Sequence, residues 1–544
     1  MLKTSAKLDN RSFALLKNRQ LTTYYFIPLR QKYVYLQSNE DCMKIFNTSL
    51  TRELDNYTIE NEPISSIDLI ERASMKFAEA LKKEISNQQR VFIFAGPGNN
   101  GSDALSVARI LSLDNYPVEC FLFNPKDSLS ADCETNKVKT SSIPTITFHE
   151  IKGSFSPPKI EKEDIIIDGL FGSGLNKPLA GGFASLVYFI NKTGAKIYSI
   201  DIPSGLFGEN NSQNTEATVI KAYKTFTFQF PKLAFLLPDS GIYVGKWEVL
   251  DIGIHPEAIN QQETPYYYAE KQNISPLLHK RNSFAYKNTF GHALIIAGSK
   301  GKMGAAVLCA KACLRSGAGL VTSHLPECGE TIMQTTFPEA MVVTDPENDF
   351  ISKICDTTPY SAIGIGPGIS TSEVTAIALK DLLFQCPKNL VLDADALNII
   401  STHKEWLEFI PANSILTPHI GEFDRLAGVS TSSFERLEKA QNLASQLKSI
   451  IVLKGAYTAI CSPDGDIHFN SSGNTGMATA GSGDALTGII TGLLAQNHSP
   501  LDAAKIGVYI HGLAGDIASK KHSQESLIAS DIIDNMGAAF NCFS

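Results

Sequence analysis

The sequence predicts an α/β protein of two consecutive domains, and three observations carry that prediction. From Met43 onward, short β-branched or aromatic runs alternate with helix-like segments, the pattern of stacked βαβ units. The alternation dissolves once, between about 253 and 285, in a polar run with Pro and Gln and no clear periodicity, which reads as a linker. A chain of 544 residues, at roughly 150 residues per domain, also has room for more than one domain.

Taken in order, residues 66–84 place Ile67, Ile70, Ala73, Phe77 and Leu81 on one face of an amphipathic helix. Strands are expected at Val91–Ala95, Val118–Phe123, Ile165–Asp168 and Ile197–Asp201. Beyond the linker come a strand at His292–Ala297 and a small-residue helix at 304–316. Strands at 362–365, Leu390–Asp393 and Ile450–Leu453 and a long helix from 484 complete the series. No short-period repeat is present. The expected domains are 43–270 and 271–544.

Composition narrows the function classes. Lys and Arg number 48 against 56 Asp and Glu, a net charge of −8, with 43% hydrophobic and 19% charged residues. That is globular composition, with neither the basic footprint of a nucleic-acid binder nor, lacking an apolar run of ~18 residues, a bilayer-spanning helix. A soluble, cytoplasmic protein with no nucleic-acid or membrane partner is expected. Residues 1–42 carry seven Lys/Arg, from Lys3 to Lys32, against Asp9, Glu40 and Asp41. They read as a disordered extension or as translated sequence ahead of the true start, although a transit peptide has the same charge bias. Ten cysteines form no CxxC pair, and the i, i+4 pair Cys309 and Cys313 lacks further zinc ligands, so structural thiols in a reducing compartment are expected.

The first chemistry-bearing motif follows strand Val91–Ala95. Gly96, Gly98 and Gly101 satisfy G-x-G-x-x-G, and a helix is expected over Ala104–Leu111, so backbone amides there could hold phosphate. The acid that a standard dinucleotide site wants some 20 residues later is missing, because Phe123-Asn124-Pro125 stand there. Two more loops open on acids: Asp168 before Gly169-Leu170-Phe171-Gly172-Ser173-Gly174, and Asp201 before Ile202-Pro203-Ser204-Gly205. Either aspartate alone would read as a loop or helix cap. Three loops at the carboxyl ends of strands in one parallel sheet point to a shared site.

MKIFNTSLTRELDNYTIE, GPGNNGSDA, the Asp168 loop and SIDIPSG closely resemble the NAD(P)H-hydrate epimerase family over about 43–255. The resemblance implies a Rossmann-like three-layer α/β/α domain that interconverts the R and S hydrates of NADH or NADPH. It assigns hydrate binding to Asn99, Asn100, Gly101, Ser102 and Asp103 and to Gly172, Ser173, Gly174, Leu175, Asn176, Lys177 and Pro178. It implies a potassium ion held by Asn100, Asp168 and Ser204. Asp201 would contact substrate and is the candidate base. The family usually has glycine where Ser102 and Ala104 stand, so affinity would suffer if either position needed a positive φ or close phosphate approach.

In the second half, Gly481-Ser482-Gly483-Asp484 matters most. A Gly-Ser-Gly turn opening a helix offers bare amides and the positive end of a helix dipole to a transferring phosphoryl group. Asp484, in the first turn, could take a proton from an acceptor hydroxyl, although an acid at a helix N-terminus can also be purely structural. Lys454 ends a strand before Gly455, and His419 sits on a loop between Pro418 and Gly421. No GxxxxGK[ST] is present, which excludes a P-loop NTPase.

KGAYT, TPHIGEF, DADALN and NTGMATAGSGDALTG resemble the ribokinase-like superfamily, and within it the ADP-dependent NAD(P)H-hydrate dehydratases. The resemblance implies a ribokinase-like α/β domain that uses ADP as co-substrate with Mg2+. It assigns Lys454, Gly455, Ala456, Tyr457, Thr458 and Gly483 to the adenine nucleotide, and Ala305, Gly368, His419 and Asp484 to the hydrated nicotinamide. Ala480 replaces a frequent family glycine just outside the turn. The combined expectation is a bifunctional, homo-oligomeric repair enzyme for hydrated NADH and NADPH. The alternative is a ribokinase-like small-molecule hydroxyl kinase with an N-terminal ligand- or RNA-binding module.

Overall fold

The computed structural model describes residues 43–385 and 387–544, and the reading of 1–42 as an extension lies outside the described residues. Seven strands form one sheet, in the order Ile146–Ile151, Val118–Phe123, Val91–Ala95, Ile165–Gly169, Lys196–Ile200, Lys224–Phe228, Lys246–Leu250. Every neighbouring pair is parallel. Val91–Ala95 and Ile165–Gly169 are buried throughout, as continuous apolar runs must be in a sheet covered on both faces. The order reverses between these two strands, a switch point where a crevice opens beyond the strands' carboxyl ends. The expected strands are all present. The helix expected over 66–84 runs Ser66–Leu81, capped by Ser65; Ile67 is only half-buried and Leu69 takes its place in the core.

The second sheet has eleven strands. Its parallel part runs Met341–Thr344, Leu320–Leu325, His292–Ile296, Ala362–Ile365, Leu390–Leu392, Ile415–Leu416, Ile450–Leu453. Ala459–Cys461 and Ile467–Asn470 extend it antiparallel. Helix Ser482–Ala495 packs on helix Met303–Arg315 so closely that a Cβ on Gly488 would lie 2.1 Å from the Cys309 carbonyl oxygen. Cys309 and Cys313 are buried free thiols in this packing, as a structural role requires.

The polar run 253–285 is not an irregular linker. Its YYYA segment, Tyr266–Ala269, is a strand paired parallel to Ile467–Asn470, with Met43–Lys44 antiparallel on its other side. Polar flanks hide this strand in the sequence, but Tyr266 and Tyr268 pack on the second core and Tyr267 stacks on His468. Ile45, Leu233, Leu236 and Leu237 bury their side chains in that same core. Sheet membership therefore does not change at 270, because segments from 43–270 complete the second layer. No helix among the described residues is long and apolar enough to cross a membrane.

Candidate active sites

At the first switch point the G-x-G-x-x-G segment does not form an extended loop. The helix expected from Ala104 starts at Asn99, with Gly98 as its N-cap, so residues 99–103 are its first turns. Glycine is needed where backbones touch: a Cβ on Gly96 would lie 1.8 Å from the Leu170 carbonyl oxygen, and one on Gly101 would lie 1.8 Å from that of Gly96. Ser102 and Ala104 carry no such demand. Neither has a positive φ. The Ser102 hydroxyl accepts from Asn136 Nδ2 at 3.0 Å, behind the site, and Ala104 packs beside Gly169.

A cavity of about 590 Å3 opens here, lined by Asn99, Asn100, Asp103, Gly172, Ser173, Gly174, Leu175 and Asp201. Of the other residues expected to bind the hydrate, Gly101 and Ser102 turn inward, and Asn176, Lys177 and Pro178 lie outside the lining. Asp201 stands at the end of its strand with φ +63, a left-handed conformation that aspartate tolerates better than most residues. Lys232 Nζ lies 2.8 Å from its Oδ1, and Thr227 Oγ1 and the Phe228 amide also donate to that oxygen.

Asp168 is wholly buried. It accepts from Ser204 Oγ at 2.5 Å, from the Ser204 amide and Ser199 Oγ at 2.8 Å each, and weakly from the Leu170 amide. Burial pushes its carboxyl up despite these donors. Among the described residues no Lys, Arg or His pairs with it, whereas buried carboxylates are normally paired or bind metal. Ser204 Oγ also reaches the Phe171 carbonyl, and the buried Asn100 Nδ2 lacks a hydrogen-bond partner. The oxygens of Asp168, Ser204 and the Phe171 carbonyl, with a buried, cation-free carboxylate among them, suit a hard cation.

The second site gathers at the carboxyl ends of the second sheet's strands. Gly481, at φ +84, caps helix Ser482–Ala495 with a left-handed turn that a side chain would strain, and Asp484 lies in the first turn. Lys454 Nζ donates to Asp393 Oδ1 at 2.8 Å, and Thr487 Oγ1 donates to Asp393 Oδ2 at 2.7 Å. Burial works against the Lys454 charge, but Asp393 and Glu422 outweigh it and the ammonium is held above its ordinary range. For Asp484, burial first and then Asp393 push the carboxyl up to about 6, with Lys454 pulling the other way. Gly483 lies against this cluster, where a Cβ would come within 3.4 Å of Lys454 Nζ.

His419 is not on an open loop. It caps helix Ile420–Ala427, its Nδ1 accepting from the Gly421 and Glu422 amides, and its Nε2 faces Glu422 Oε1 at 3.4 Å. Gly368 and Ala305 adjoin one another, and Lys302 beside them reaches Asp395 at 3.4 Å. Within the Lys454–Thr458 turn, Thr458 Oγ1 bonds back to Gly455 and Tyr457 Oη accepts from Trp247 Nε1. Those two side chains are occupied, and the Lys454 ammonium is held by Asp393.

Residues 66–234 match the family described as YjeF-related protein N-terminus, and residues 293–537 match that described as NAD(P)H-hydrate dehydratase. The bifunctional NAD(P)H-hydrate repair enzyme Nnr of Moorella thermoacetica is 34% identical over 498 residues, covering 89% of this chain and 94% of that protein. Its namesake from Thermofilum pendens is 33% identical, over 91% of this chain and 96% of that one. The chain belongs to the bifunctional NAD(P)H-hydrate repair enzymes. Among solved structures, the ADP/ATP-dependent NAD(P)H-hydrate dehydratase from Bacillus subtilis, co-crystallised with ATP and Mg2+, is 32% identical, covering 51% of this chain and 98% of that one, with a TM-score of 0.44.

Several groups in this repair-enzyme chain escape sequence reasoning. Asp55, on helix Thr48–Asn61, lines the first cavity, and Lys232 reaches it through its pair with Asp201. The buried His511, whose Nε2 lies 3.3 Å from Ser482 Oγ, stands by the second turn, where Asp393 and Glu422 enter from the DADALN and TPHIGEF motifs that the sequence already marks. An acid in a polar helix, or a histidine in an apolar one, gives no local signal. Only the fold brings these groups together.

Proposed function

We propose that the chain carries two activities on hydrated NADH and NADPH. The first-sheet cavity interconverts the R and S hydrates, with Asp201 as base and a potassium ion held by Asn100, Asp168 and Ser204. The second site dehydrates the S hydrate at the expense of ADP, with Lys454–Thr458 and Gly483 holding the nucleotide. Ala305, Gly368 and His419 contact the hydrate beside Asp484. In this reading 43–270 and 271–544 are the two catalytic halves, the assembly is a homo-oligomer, and the eight free thiols among the described residues suit a reducing cytoplasm.

The observation that carries the reading is Asp484 in the first turn of its helix, raised to about 6 beside the Lys454–Asp393 pair. A carboxylate so placed is ionised at neutral pH yet basic enough for proton transfer. It takes the proton of the C6 hydroxyl as that oxygen attacks the terminal phosphoryl group of ADP, and AMP leaves. The ring-nitrogen lone pair then expels phosphate, and loss of a C5 proton restores the dihydropyridine. In this reading the Gly481 and Gly483 amides and Lys454 serve the developing phosphoryl charge. Among the described residues no three His, Cys, Asp or Glu side chains form a metal cage. In this reading magnesium arrives on the diphosphate, since that ion keeps waters and phosphate oxygens as ligands.

The test supplies purified protein with mixed R and S hydrates and ADP and follows NADH absorbance. Complete recovery is expected. Recovery that stops at the S fraction would remove the epimerase half of the reading. No NADH, with a small-molecule hydroxyl phosphorylated instead, would favour the kinase alternative.

A further inference from the structure

Epimerisation at C6 of a hydrated nicotinamide needs two proton-handling groups. The hydrate is a hemiaminal, with the hydroxyl and the ring nitrogen on one carbon. Opening the ring moves the O–H pair into a C=O bond and the C6–N1 pair onto nitrogen. One group must accept the hydroxyl proton while another supplies a proton to N1. Rotation about C5–C6 and the reverse steps then close the opposite face, with both protons returned. Asp201, held beside Lys232, is placed for the accepting part.

Resting on the epimerase reading above, we propose that Asp55 is the acid of this pair, handing its proton to the ring nitrogen as the C6–N1 bond breaks and recovering it on reclosure. Asp55 reaches the cavity from helix Thr48–Asn61, whereas Asp201 enters from the end of strand Lys196–Ile200. The two carboxyls therefore come to one space from separate elements. Asp201 has Lys232 at 2.8 Å, but among the described residues no donor is hydrogen-bonded to the Asp55 carboxyl.

The electrostatics agree with this division. Burial first, then the Asp201 charge, push Asp55 up to about 7, against the opposing pull of Lys232 and of Arg52 on its own helix. Asp103, facing the same cluster from helix Asn99–Leu113, is pushed well above its ordinary range by burial and by Asp201 and Asp55. Asp55 thus holds its proton up to about neutrality, while the Lys232 ammonium lies 2.8 Å from Asp201. Pairs of titratable groups with opposed environments are how one site supplies both an acid and a base.

The full-length chain decides it, with R-to-S interconversion followed chromatographically without ADP and the spontaneous rate subtracted. Asp55→Asn should lose roughly 10²–10⁴-fold in that rate, the usual contribution of a general acid. ADP-dependent dehydration of the S hydrate should be unchanged, which reports an intact fold. Wild-type kcat/KM for interconversion should fall about tenfold per pH unit above about 7, where Asp55 loses its proton. Asp55→Glu should retain activity with that limb displaced. Interconversion within threefold of wild type in Asp55→Asn, or a wild-type profile flat from pH 6 to 9, would overturn the proposal. If Asp55→Asn also loses dehydration, Asp55→Glu decides: a displaced alkaline limb upholds the role and an unmoved one refutes it. A wild-type chain that interconverts nothing overturns the epimerase reading and this inference with it.

Discussion

Trp247 Nε1 donates to Tyr457 Oη at 3.0 Å, tying a strand of the first sheet to the Lys454–Thr458 turn of the second site. Phe235 and Tyr268 pack on the same indole, at centroid distances of 6.0 and 5.6 Å. Asp239 adds a second tie by accepting from the Ser433 amide. The turn assigned to ADP is therefore braced from the other half of the chain.

Removing the Tyr457 hydroxyl should weaken that brace without touching chemistry. Tyr457→Phe leaves the Trp247 N–H unpaired, a loss of about 1 kcal/mol. A lower urea midpoint read by tryptophan fluorescence, with a raised KM for ADP and retained kcat, is expected. An unchanged KM would mean that the turn holds its shape without Trp247.

Dehydration should depend on the ionised form of Asp484. Its carboxyl is raised to about 6, and a base works only when deprotonated, so kcat/KM should fall about tenfold per pH unit below about 6. Asp484→Asn should remove that limb with a loss of at least roughly 10²-fold. R-to-S interconversion should persist in the variant. Its loss there would show that the two sites are not independent.

Much of this was legible in the sequence because continuous apolar runs and Gly-rich strand-to-helix junctions are local signals. Val91–Ala95, the Asp168 and Asp201 loops and the Gly481–Asp484 turn all stand where the pattern placed them. Tyr266–Ala269 was not legible, because a four-residue strand with polar flanks has no periodicity and is recruited by a neighbour two hundred residues away. Asp55, Lys232 and His511 were hidden for a related reason: their roles arise from what burial and other segments place opposite them.

Restoring the family glycine at Ser102 should not help. The position is helical, buried and bonded to Asn136, so Ser102→Gly gives up that bond and some helix propensity, a cost of roughly 1 kcal/mol. A lower melting temperature with unaltered KM for the hydrate is the expected result. Tighter hydrate binding would mean that the hydroxyl hinders the site after all.

Gly488→Ala should misplace Asp484 from within the core. The added methyl would meet backbone, 2.1 Å from the Cys309 carbonyl oxygen, so helices Ser482–Ala495 and Met303–Arg315 must separate. Overpacking of this kind costs typically about 1–3 kcal/mol. Dehydration should fall more steeply than R-to-S interconversion, measured in the same preparation. Equal loss of both would point to general unfolding instead.

Lys232 offers the sharpest separation of charge from shape in the first site. Its side chain is 5% exposed and that of Asp201 15% exposed, so removing the ammonium strands a carboxylate with little water to replace it. For a fully buried pair such a break costs roughly 3–5 kcal/mol, and the partial exposure of Asp201 on the cavity reduces that figure. Lys232→Met keeps the apolar stem and loses the charge; Lys232→Arg keeps the charge and alters its geometry. The methionine variant should melt lower and lose most R-to-S interconversion, the arginine variant should recover part of both, and dehydration should be spared in each. Full interconversion by Lys232→Met would show that Asp201 needs no cation to act as the base.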